Sequence, residues 1–174
     1  IFKPIFYEFF FNMIHLKQIT NSDFDLRSNN LLFRHLTKIL DRKMVDILIK
    51  KSNFFINGPV SVNLNVESIF TEWFKKFDNF LDIAQKSMVV VEFHISDIFS
   101  DFSLFLKARD FLQTRGYRVL LDGLDHHSML QVDRESLGLD LAKIIWSNDL
   151  EAAIEIDNEK FLLSVERFGA NRLI

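Results

Sequence analysis

The chain has no cysteine among its 174 residues. That excludes a disulfide framework and a thiolate metal centre, and it suits a reducing compartment, so the chain reads as cytoplasmic. Proline is almost missing as well, with two in the whole chain. No proline-rich or low-complexity linker divides the sequence, and 1–174 reads as one domain. Tyrosine and tryptophan number two each against twenty phenylalanines, so most of the aromatic area has no polar handle and belongs in packing. An excess of basic charge is also lacking: 21 Lys and Arg are interspersed with 24 Asp and Glu. With a net charge of −3 and no basic face, a nucleic-acid backbone is excluded as partner. The longest apolar runs, "FYEFFFNMI" and "SMVVVEF", are broken by Asn or Glu and are too short to cross a bilayer, so no membrane anchor is expected.

What is present is an apolar fraction of 48%, ample for one sizeable core, and an alternation of strand and helix patterns. "VSVNL" (60–64) reads as a strand, and 66–85 has apolar residues at helical spacing, with Asn65 placed to cap it. "MVVVEFHI" (88–95) is a β-branched run too apolar to face water, followed by an amphipathic helix over 97–116 that Gly116 ends. "YRVLLD" (117–122) and "LDLAKIIW" (139–146) are the next strands, and 158–169 is a further helix with Gly169 at its end. Upstream, "IFKPIFYEFFFNMIHL" reads as one or two strands, 20–30 as a polar turn region and 31–51 as a long helix. Phe70, Phe74, Phe77 and Leu81, with Phe105, Leu106 and Leu112, are the residues expected to face the sheet. Strands apolar on both faces and separated by helices imply a parallel sheet covered by helices, either open or closed into a barrel. The start at Ile1 and the stop at "ANRLI", which looks like the opening of another strand, read as a piece of a longer protein.

Polar residues stand near the C-terminal ends of four consecutive predicted strands: Asn63, Glu92, Asp122 and Lys143. Each alone is an ordinary strand-end group that caps a helix or pairs with a neighbour. Together, on a (β/α) barrel, they would meet at the mouth. Two carboxylates and an amide oxygen suit Mg²⁺ or Mn²⁺, and a lysine beside them could hold a phosphate or a metal-bound hydroxide, which points to phosphoester chemistry.

"VSVNLN", "VVVEFHIS", "VLLDGLD" and "LDLAKII" resemble, in order, degraded strand motifs of EAL domains, the cyclic di-GMP phosphodiesterases, and the 21-residue separation of Asp122 and Lys143 matches that family. The resemblance covers about residues 60–170. It implies a modified TIM-type (β/α) barrel, α/β in class, whose last strands would lie beyond Ile174. It also implies metal ligation by Asn63, Glu92 and Asp122, with Lys143 as the catalytic group beside the attacking water. "YEFFFN" (7–12) stands where the Glu-Ala-Leu signature would be and places Glu8 as a further metal ligand, with Asn12 where the family has an arginine. Other departures matter: Gly123 replaces a metal-holding aspartate, Ile145 an acid and Ile95 a glutamate, and Asp125, His126 and His127 replace a Gly-Thr-Gly loop. The two loop histidines read as polar surface or as replacement metal ligands over the mouth. His94, two residues beyond Glu92, orients the site or fills the mouth.

Three functions follow. The first is a degenerate EAL module for signalling or protein interaction, possible as a homodimer, without efficient hydrolysis. The others are an active phosphodiesterase using Mg²⁺ or Mn²⁺, and a silent receptor that binds cyclic di-GMP through Lys143 and Lys3. Either a nucleotide or a protein partner is compatible with the sequence.

Overall fold

The computed structural model describes residues 5–12, 30–51 and 58–174. Lys3 and the turn region before residue 30 lie outside them. Five strands, β1 (Tyr7–Phe9), β2 (Val60–Asn63), β3 (Val89–His94), β4 (Arg118–Leu124) and β5 (Leu141–Ile144), form one sheet in the order of the chain. Every neighbouring pair is parallel. At the far edge Leu173 bridges Ala142, again in parallel, so the segment "NRLI" extends the same progression. A sheet that advances in one direction keeps its crossover helices on one face and curls around the other. The result is a curled half-barrel, compatible with a partial (β/α) barrel.

Strand periodicity sorts the residues. Val60, Val62, Val89, Val91, Phe93, Val119, Leu121 and Ala142 point outward into the main core, which the helices complete with Val45, Leu48, Phe74, Phe77, Phe105, Leu112 and Phe168. The concave face carries a smaller apolar cluster of Val90, Leu120 and Leu141, with Phe6 packed against it. The alternate residues on that face include Ser61, Asn63, Glu92, Asp122 and Lys143, so the period that builds the core also delivers the polar groups to one surface.

The helices are α1 (Asn30–Lys50), α2 (Glu72–Phe80), α3 (Ile83–Ser87), α4 (Ile95–Ser100), α5 (Phe102–Thr114), α6 (His126–Gln131), α7 (Asn148–Ile156) and α8 (Asn158–Phe168). Two of the predicted helices are broken by internal caps. The stretch 66–85 becomes a 3₁₀ turn (Val66–Phe70) followed by α2 and α3. Thr71 accepts the amide of Phe74, and Asp82 forms a capping box with Gln85. Asn65, expected to cap, makes no side-chain cap bond; its side chain is held by Asp41 instead. The 3₁₀ turn takes Phe70 out of helical phase, and it is 48% exposed rather than facing the sheet. Phe74, Phe77, Leu81, Phe105 and Leu112 are buried as expected, and Leu106 is partly buried against the core. The stretch 97–116 splits at Asp101, whose carboxylate caps α5 through Leu104 N at 2.9 Å.

Buried Asp78 ties the far ends together: it accepts from Tyr117 Oη at 3.1 Å and Arg115 Nε at 3.2 Å, and pairs with Lys86 at 2.8 Å. Arg134 donates to the carbonyls of Phe168 and Leu139, and Arg167 to that of Met129, which staples α8 to the segment between β4 and β5.

Candidate functional site

Side chains from β1, β2, β3 and β5 meet at the C-terminal rim of the concave face. Asn63 Nδ2 donates to Glu8 Oε1 at 2.9 Å. Lys143 Nζ donates to Glu8 Oε2 at 3.1 Å and to Glu92 Oε2 at 2.7 Å. The lysine thus bridges a glutamate 135 residues away in the chain and one on the neighbouring motif strand. Asn63 and Glu92 are register partners, as are His94 and Asp122. Asp122 makes no direct bond to this cluster, but its charge is felt by Lys143. Among the residues expected at the mouth, then, Glu8, Asn63, Glu92 and Lys143 are in contact and Asp122 stands beside them.

A bulge sets the approach of β5. Leu121 pairs with Ala142 and Leu124 with Ile144, so Asp122 and Gly123 together oppose the single residue Lys143. Gly123 supplies the backbone for it, with φ of +84°, a conformation that a side chain disfavours.

Glu92 is fully buried. Burial raises its carboxyl above the ordinary range, and the hydrogen bond and charge of Lys143 oppose that rise without cancelling it. For Lys143 burial works downward, but the bond and charge of Glu92, with Glu8 and Asp122 beyond, hold the ammonium above its usual value. Both shifts describe a carboxylate that depends on one cation. Ser61, also buried on this face, lies close enough to favour the Glu92 charge. Neither Ser61 Oγ nor Glu92 Oε1, however, makes a hydrogen bond of good geometry.

The donor set is the oxygen-rich kind a hard divalent cation takes, and Glu92 Oε1 is a buried acceptor with no such bond. The geometry is otherwise committed. Lys143 holds one oxygen of each glutamate, and Asn63 turns its NH₂ to Glu8. Among the described residues no three of His, Cys, Asp or Glu are grouped to hold a metal ion. In this arrangement the residues do not fit a resident cation.

The loop after β2 is fixed from outside by α1. Asp41 Oδ2 accepts from Asn65 N and Nδ2, each at 2.7 Å, and from Ser68 Oγ at 2.6 Å. Burial raises Asp41 above the usual carboxylate range despite these bonds. Asp97 of α4 accepts from Val66 N at 2.5 Å. Arg34 and Lys38 clamp Glu67 at 3.2 and 2.6 Å. Asn63 therefore ends a strand whose exit is held on both sides.

His126 and His127 do not lie in an open loop as expected. They form the first turn of α6, directly after β4, because Asp125 and Ser128 make a capping box there. Those bonds to Ser128 hold the Asp125 carboxyl below its ordinary value. The two imidazoles lie against each other, 3.8 Å between centroids.

Two features were not drawn from the sequence. Ser61 could have been found by counting back two residues from Asn63 along the same strand face. The packing of His94 onto Gly123, where a Cβ would meet His94 Nε2 at 2.5 Å, had one signal: a glycine inside a strand marks a close approach. Comparison with known proteins finds no family whose sequence pattern matches this chain and no significant match among characterised proteins.

Proposed function

We propose that the chain is a degenerate EAL-type signalling or protein-interaction module that keeps a ligand-gathering mouth and lacks efficient hydrolysis of cyclic di-GMP. The observation that carries this reading is the Glu8–Lys143–Glu92 bridge at the ends of parallel strands, read with the side chains missing around it. Two-metal phosphodiester cleavage uses both ions to neutralise the attacking and leaving oxygens. Gly123 supplies no carboxylate at the bulge, and Ile145, where the family has an acid, is 51% exposed beside an exposed Trp146. Any divalent cation must first displace Lys143. An apolar pair on the rim in place of an acid supports a protein-facing role there.

A second reading, a silent cyclic di-GMP receptor, is favoured by one observation: Lys143 and His94 flank Asp122 at the mouth, giving a cation and an imidazole within reach of an anion. The test is turnover of cyclic di-GMP by purified protein in excess Mg²⁺ or Mn²⁺, beside a Lys143→Ala variant. No linear dinucleotide above the variant's background is expected. Several turnovers per minute, abolished in Asp122→Ala, would replace this reading with an active phosphodiesterase.

A further inference from the structure

The bridge at the mouth leaves the imidazole of His94 unused. Strand period puts His94 on the same face as Glu92, and its Cα is in register with Asp122. The ring is held at one nitrogen only. Nδ1 receives the Ser96 backbone N–H at 3.2 Å and lies 2.8 Å from Ser96 Oγ. A backbone N–H can only donate, so Nδ1 presents its lone pair and the neutral ring carries its proton on Nε2.

That Nε2 lies over Gly123. A Cβ built on Gly123 would stand 2.5 Å from Nε2 and 2.8 Å from Cδ2, closer than atoms can come. The imidazole therefore fills the volume a side chain at this position would need, at the bulge that faces Lys143. The loss of an acid at 123 and the presence of a ring at 94 are one steric event. His94 is exposed, so its free edge can be reached from solvent.

We propose that His94 contacts the ligand in this mouth: its Nε2–H donates to a non-bridging oxygen of a bound phosphodiester, beside the charge of Lys143. The proposal rests on the receptor reading of the site. A nitrogen that bears its proton cannot ligate a metal, whereas a fixed N–H next to an ammonium suits an anion. Asp122 stands between the two donors and its charge opposes an anion, so each donor should count.

The test is a calorimetric titration of the full chain with cyclic di-GMP. His94→Asn separates the two jobs of the residue. Asparagine still offers an oxygen to the Ser96 amide and is a good N-cap, but it is too short to extend over Gly123. It should keep the thermal midpoint and weaken binding about tenfold, the scale of a hydrogen bond to a charged group. His94→Gln, whose amide NH₂ reaches further, should recover part of the loss. Imidazole ¹⁵N resonances should show Nε2 protonated and Nδ1 not, with Nε2 moving on saturation. Unchanged affinity in His94→Asn, or an Nε2 resonance that does not move, overturns the role of His94 alone. No binding by the unaltered chain overturns the receptor reading, and the role of His94 with it.

Discussion

Replacing Lys143 with methionine tests the electrostatics of the mouth without emptying it, because the two side chains are similar in length. The Lys143–Glu92 bond, at 2.7 Å with Glu92 at 0% exposure, should dominate the response. The Glu8 contact, at 3.1 Å with Glu8 at 36%, is screened and counts for little. Breaking a buried pair from one side typically costs about 3–5 kcal/mol. Here the cost has a ceiling, because Glu92 can take up a proton rather than remain charged and alone. Protonating a carboxyl of ordinary value 4.5 at pH 7 costs about 3.4 kcal/mol, at about 1.36 kcal/mol per pH unit. At pH 5 the same step costs about 0.7 kcal/mol. The sign follows from linkage. The variant raises Glu92 further above its unfolded value, so the native state binds the extra proton and stability falls as pH rises through that window. Urea unfolding followed by tryptophan fluorescence should therefore show a penalty of about 2–3 kcal/mol at pH 7 that shrinks below about 1 kcal/mol at pH 5. Adding Glu92→Gln to the variant should remove the pH dependence. A penalty under about 0.5 kcal/mol at pH 7, the range of an ordinary surface change, would refute the bridge; so would one equal at both pH values.

Two further outcomes are expected. Phe74 is fully buried, with ring centroids 5.9 Å from Phe77 and 6.1 Å from Tyr117, so Phe74→Ala should cost about 3–5 kcal/mol in chemical denaturation; an unmoved midpoint would mean that α2 does not pack as described. Lys143→Gln should bind Mn²⁺ about tenfold or more tightly than the unaltered chain, because Glu8 and Glu92 lose the cation that bridges them. Electron paramagnetic resonance of free Mn²⁺ reads this directly, and equal affinities would show that lysine and metal do not compete for one place.

The strands were legible because each is a β-branched run with no other physical use, and four of the polar residues at their ends could be picked out by period alone. The helices were less so. Apolar spacing runs on through Thr71, Asp82 and Asp101, so the pattern over 66–85 and 97–116 hides the caps that divide it. Phe70 was misplaced for that reason. Helix α7 was overlooked, although Ser147 caps it through Leu150 N and Asp149 and Glu151 stand in its first turn; its short length and mixed pattern give little periodic signal. Glu8 was the least secure of the site residues in sequence, since its motif departs most from the family pattern. Its bonds to Asn63 and Lys143 join elements 55 and 135 residues apart, which no local pattern encodes.

Gly123 shows why a missing acid should be read with its neighbours. By composition it is a deletion: a carboxylate gone and nothing supplied. On the sheet, the +84° backbone and the imidazole at 2.5 Å from the absent Cβ make the glycine a requirement of His94, whose ring is in turn fixed by Ser96. Restoring aspartate at 123 alone would force the ring from its place and strain the bulge that positions Lys143. The site therefore cannot be returned to the family pattern by one substitution. A mouth that had merely decayed would carry no such constraint, since random loss does not fill the space it leaves.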